Sequence, residues 1–162
     1  MEPDFILSAI ALGIGATLVM DLWALFLKVC FKIPSLNYSM VGRWIGHFPK
    51  GQFTHANIGK AEPVAGETLL GWTAHYAIGI CFAAVLLWGW GLEWAASPTL
   101  LPALIVGVLT VVAPFFLMQP GMGAGVAASK TPQPNTARLR SLLAHTSYGV
   151  GLYLTGIILS VY

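Results

Sequence analysis

Asp21, Glu67, His75 and His145 stand within, or at the mouth of, long apolar runs, and Gln119 closes another such run. Ionisable groups in such a setting are expensive unless they face protein or a water-filled cavity, so they are candidates for function by default. Two imidazoles and two carboxylates have the chemistry to share a proton, hold a cation or ligate zinc, iron or manganese. His75 with His145 is also the pair that a bis-imidazole haem would need. The helix-borne Glu-x-x-His pattern of di-iron bundles is absent from the sequence. Cys30 and Cys81 form no CxxC or CxxCH unit, which removes thioredoxin-like, zinc-ribbon and c-type haem readings.

The elements that must position these residues are membrane helices. With 57% hydrophobic and 9% charged residues, and a mean hydropathy of +0.76, the 162-residue chain is far from soluble composition. A spanning helix needs about 20 mostly apolar residues. Four windows qualify: Phe5 to Leu27, Thr68 to Leu92, Thr99 to Gln119 and Ser141 to Tyr162. The expected fold is an all-α polytopic bundle of these four helices, one membrane domain over residues 1–162. Loops at 28–67 and 120–140 complete it. The N-terminus lacks a basic n-region, so the first helix is expected to stay in the mature protein.

Small residues recur at four-residue intervals around the polar ones: Ala9, Gly13, Thr17, Asp21; Gly71, His75, Gly79, Ala83; Ser141, His145, Gly149. Such stripes let membrane helices approach closely, so each polar residue is expected to face a neighbouring helix. Counting about 1.5 Å per residue puts Asp21, His75 and His145 near one depth, with Glu67 and Gln119 just beneath. That layer is the expected ligand or ion site. Pro114 inside the third run predicts a bend, followed by the glycine-rich stretch from Met118 to Lys130, expected to be unwound or re-entrant.

Charge sets the orientation. Lys28, Lys32, Arg43, Lys50 and Lys60 lie between the first two runs, and Lys130, Arg138 and Arg140 between the last two. Glu2, Asp4 and Glu93 occupy the other side without any Lys or Arg. The positive-inside rule therefore expects both loops in the cytoplasm and both termini outside. Within the first loop, Ser39 is expected to cap an amphipathic helix that runs to Phe48, stops at Pro49 and lies on the inner leaflet. Arg43, Lys50 and Lys60 would meet anionic headgroups, and Lys130, Arg138 and Arg140 would hold a headgroup phosphate. His47 and His55 read as solvent-facing imidazoles, since no carboxylate or Cys stands at ligand spacing nearby. Trp88, Trp90 and Trp94 read as interfacial anchors. Nucleic-acid binding finds no support beyond these inner-leaflet cations.

Four segments, Ile33 to Tyr38, Val41 to His47, Glu67 to His75 and Ala113 to Pro120, together resemble a bacterial integral-membrane family catalogued only as a domain of unknown function. The resemblance implies a four-helix protein of the bacterial cytoplasmic membrane and supplies no ligand or catalytic residue. Three functions stay open: a small-ligand or cation site related to transport, which at this size would need a homo-oligomer; a scaffold or assembly subunit; and a metal- or haem-dependent enzyme. A lipid-modifying enzyme is weaker, for neither P-loop spacing nor a nucleophile–base pair is present.

Overall fold

In the computed structural model, residues 4–161 are described; Glu2 and Tyr162, used above for charge balance and helix length, lie outside the described residues. The described residues form helices and turns without a strand. Helix α1, Phe5–Phe31, is capped by the Asp4 side chain, which accepts the Leu7 N–H at 2.9 Å, and ends where Lys32 turns left-handed at φ 57°. The chain continues through α2 (Tyr38–Gly46), α3 (Glu67–Trp90), α4 (Leu92–Ala96), α5 (Leu100–Leu109), the short α6 (Gln119–Gly121) and α7 (Pro134–Ser160). Four segments, Phe5–Phe31, Glu67–Trp90, Leu100–Gly121 and Pro134–Ser160, are long and apolar enough to cross a bilayer. The protein is a multi-pass, all-α membrane protein, and large hydrophobics are exposed along its four apolar segments, as suits contact with lipid. Cys30 and Cys81 are free.

Several boundaries differ from expectation. The cap of α2 is Asn37, whose side chain accepts the Ser39 N–H, and the helix stops at Gly46; Pro49 instead lies in a 3₁₀ turn, Phe48–Lys50. Helix α7 begins at Pro134, so Arg138 and Arg140 stand on a helix rather than in a loop. Proline suits a first helical turn because its missing N–H would have no partner there and its φ is already helical. Around Pro114 the third span widens into a π turn, Pro114–Met118, in which the Gln119 N–H reaches back to the Pro114 carbonyl. Trp94 is not an interfacial anchor: it is 4% exposed and its indole donates to the Thr99 carbonyl at 3.1 Å.

The chain divides into two compact units. The first comprises Met1–Ser35, Tyr76–Thr110 and Leu143–Tyr162. Its core is Leu12, Ala16, Ala83, Leu86, Leu87, Trp94, Val106, Tyr148 and Leu152. Small residues act there as expected: a Cβ on Gly13 would lie 2.7 Å from the Ile80 nitrogen, and one on Gly107 2.5 Å from the Gly149 Cα. The buried Tyr148 hydroxyl donates to the Gly79 carbonyl at 2.6 Å, tying α7 to α3.

The second unit comprises Leu36–His75 and Val111–Leu142. Here α2 packs antiparallel on the first turns of α3, and residues 52–61 lie along the glycine-rich segment. The His55 N–H donates to the Gly121 carbonyl at 2.8 Å and the Ile58 N–H to the Met122 carbonyl at 3.1 Å. Gly121 leaves room for the Trp44 indole, which donates to the Phe53 carbonyl at 2.8 Å.

Candidate functional site

In the first unit, Asp21 accepts the Tyr76 hydroxyl at 3.0 Å. His145 Nδ1 lies 2.9 Å from the Thr110 hydroxyl oxygen, and that hydroxyl also contacts the Gly107 carbonyl at 2.6 Å. A hydroxyl has one proton, and the carbonyl can only accept, so the Thr110 proton goes to Gly107 and His145 donates from Nδ1. The Asp21–Tyr76 bond joins α1 to α3, and the Thr110–His145 bond joins the end of α5 to α7.

In the second unit, Glu67, Gly71 and His75 recur at four-residue intervals on the face of α3 that meets α2. At one end, Tyr38 stacks on His75 with ring centroids 4.2 Å apart, its hydroxyl 3.0 Å from Nε2. In the middle, Gly42 and Gly71 bring the two backbones together; a Cβ on Gly42 would lie 2.7 Å from the Gly71 nitrogen. At the other end, Arg43 grips Glu67 with two parallel bonds of 2.8 and 2.7 Å, a geometry only a guanidinium offers a carboxylate. Glu67 also accepts the Val64 N–H at 3.0 Å, and Arg43 donates to the Ala61 carbonyl at 3.2 Å. Hydrogen bonding to Glu67, more than its negative charge, raises the Arg43 pKa against the cost of burial.

Gln119 donates to the Ser141 hydroxyl at 3.3 Å, while its buried Oε1 has no partner among the described residues. Of the four headgroup candidates, Arg43 and Arg138 are bonded within the protein. Arg138 donates to the Ala127 carbonyl at 2.8 Å and to Asn135 at 3.0 Å, and so holds the glycine-rich segment against α7. Lys130 and Arg140 are exposed. Among the described residues no three His, Cys, Asp or Glu side chains gather where they could hold a metal ion. Asp21 and His145 belong to the first unit, and Glu67, His75 and Gln119 to the second.

The structure corrects the solvent-facing reading of His47 and His55. His47 is 2% exposed; its Nδ1 lies 2.7 Å from His55 Nε2, and the two rings stack with centroids 4.9 Å apart. His47 closes α2, the 3₁₀ turn follows, and Gly51 at φ 71° reverses the chain so that His55 returns over His47. The Lys50 and Gln52 N–H groups both donate to the His47 carbonyl, at 3.0 and 3.3 Å. His55 Nδ1 is buried and without a partner among the described residues. The pair forms one wall of an open cleft of about 440 Å³, whose other walls include Lys50, Thr54, Asn57, Lys60 and Glu62. Pro49 and Gly51, between the two histidines, are the only sequence signal of this return.

A family model described as "Protein of unknown function (DUF2938)" matches residues 10–159. No curated protein and no solved structure matches the chain.

Proposed function

This chain belongs to the DUF2938 family of proteins of unknown function, and from that premise we propose that it binds a small polar ligand in the cleft walled by His47 and His55. The observation that carries this reading is the imidazole pair itself. Burying a polar group without a partner costs roughly 1–3 kcal/mol, and His55 Nδ1 is such a group. Apolar side chains would hold the loop as well without that cost, so the pair is best explained by what it meets when the cleft is filled. The experiment is native mass spectrometry of the full chain against Thr54→Trp, which fills the cleft from an exposed position; the wild type is expected to carry a non-protein mass that the variant lacks.

In this reading the bonds Asp21–Tyr76, Tyr38–His75, Thr110–His145 and Gln119–Ser141 serve as polar glue between helices. A second reading keeps the ligand at Gln119, supported by its unpartnered Oε1 next to the π turn, a device frequent at functional sites. Gln119→Leu separates the two: loss of the bound mass in this variant, with retention in Thr54→Trp, would transfer the site.

The chain is proposed to form one membrane domain in the bacterial cytoplasmic membrane, with both termini outside and both basic loops inside. The one-sided distribution of Lys and Arg supports this. With Cys30 and Cys81 replaced by Ser, a cysteine at the exposed Gln133 is expected to resist a membrane-impermeant maleimide until the cells are permeabilised. Labelling of intact spheroplasts would reverse the orientation.

A further inference from the structure

We infer that the cleft takes a phosphate group, held by the ammonium groups of Lys50 and Lys60; this rests on the ligand-binding reading above and names its ligand. The walls set two ammonium groups against one carboxylate, Glu62. Lys50 and Glu62 are 3.7 Å apart with side chains 64% and 79% exposed, a loose pair that an incoming anion displaces at little cost. The Lys60 ammonium has no ion-pair partner among the described residues. A cationic ligand would meet two like charges there.

The kind of cation distinguishes among anions. A planar guanidinium fork suits a carboxylate, and the arginine nearest the cleft, Arg43, is already bound to Glu67. What lines the cleft is lysine, a compact point charge, and two of them match the two charges of a phosphate monoester. The histidine pair stands in the same wall; when His47 donates from Nδ1, His55 carries its proton on Nδ1, which is buried and has no acceptor among the described residues. Asn57 uses its carbonyl oxygen on the Gly59 N–H at 2.9 Å, which leaves its NH₂ as a further donor at the cleft wall. Residues 32–66 join the ends of two spanning helices, so by connectivity the cleft opens at the membrane surface. Its phosphate comes either from a lipid headgroup or from a soluble phosphate ester.

The full chain in neutral detergent, at constant ionic strength, is titrated calorimetrically with sodium phosphate and with dihexanoyl phosphatidic acid, with sodium acetate and tetramethylammonium chloride as comparisons. At least one phosphate probe is expected to bind. Lys50→Gln/Lys60→Gln is expected to weaken it about tenfold or more, because each charge-assisted bond lost is worth about that factor. Both lysines are exposed, so the melting temperature of the double variant should stay at the wild-type value. Binding of the phosphatidic acid alone assigns the site to a headgroup; binding of inorganic phosphate as well assigns it to a soluble ester. Equal affinity in the double variant, or no binding of either phosphate probe, overturns the inference. If acetate or tetramethylammonium binds instead and Thr54→Trp abolishes it, the phosphate assignment falls while the ligand-binding reading stands. If Thr54→Trp carries the same bound mass as the wild type, the reading itself falls.

Discussion

Gly42→Ala and Gly71→Ala are each expected to force α2 away from α3 and to cost about 3 kcal/mol or more, the upper end for overpacking. The reason is what the added carbon would meet. On Gly42 it would run into the Glu67 carbonyl oxygen and lie 2.7 Å from the Glu67 carbonyl carbon; on Gly71 it would run into the Tyr38 carbonyl oxygen and lie 3.1 Å from the Gly42 nitrogen. All of these are backbone atoms, so no side chain can rotate away and a helix has to shift. The shift disturbs both flanking contacts, Tyr38–His75 and Arg43–Glu67, since the same crossing holds them. Thermal unfolding in detergent measures the loss, and limited trypsin digestion at Lys50 and Lys60 measures the loosening of the loop. Wild-type melting and digestion in both variants would mean that α2 does not rest on α3 through these glycines.

Arg43→Met is expected to lower the melting temperature more than any single substitution of an exposed loop cation. The side chains of Arg43 and Glu67 are 10% and 16% exposed, and removing the guanidinium leaves the carboxylate with the Val64 N–H as its remaining bond at that site. A charge stranded in a largely enclosed place is costly, whereas an apolar pair of similar volume is tolerated. Arg43→Met/Glu67→Leu should therefore recover part of what Arg43→Met loses, and a double-mutant cycle should return a favourable coupling between the two positions. Additivity of the two single effects would show that the ion pair does not clamp the loop. Because the pair is enclosed, moderate salt should change its contribution less than it changes that of Lys50–Glu62.

The membrane helices are legible in the sequence because an apolar run of about 20 residues matches the thickness of a bilayer, and the small-residue stripes because a spacing of four puts residues on one helix face. Which stripe meets which is not legible. Glu67 and His75 bond to Arg43 and Tyr38 of α2; the amphipathic pattern shows that helix in the sequence, but not the face of α3 on which it packs. Helix α7 starts ahead of its apolar run because its first turns carry Arg138 and Arg140, cations typical of a loop, and Pro134 at its first position is the sharper signal. Asn37 and Ser39 are both capping residues two positions apart, and composition does not choose between them. The His47–His55 pair is hidden in the sequence because its two members are joined by irregular chain, which has no period; only the left-handed turn at Gly51 brings them together.

Ligand binding in the histidine-walled cleft is tested most directly by native mass spectrometry of the full-length protein released from detergent, wild type beside Thr54→Trp, with melting temperatures recorded for both. A discrete non-protein mass is expected on the wild type and is expected to be missing from a variant of unchanged stability. The same bound masses on both proteins, or none on either, would contradict binding there and leave the histidine pair as a structural feature of the loop.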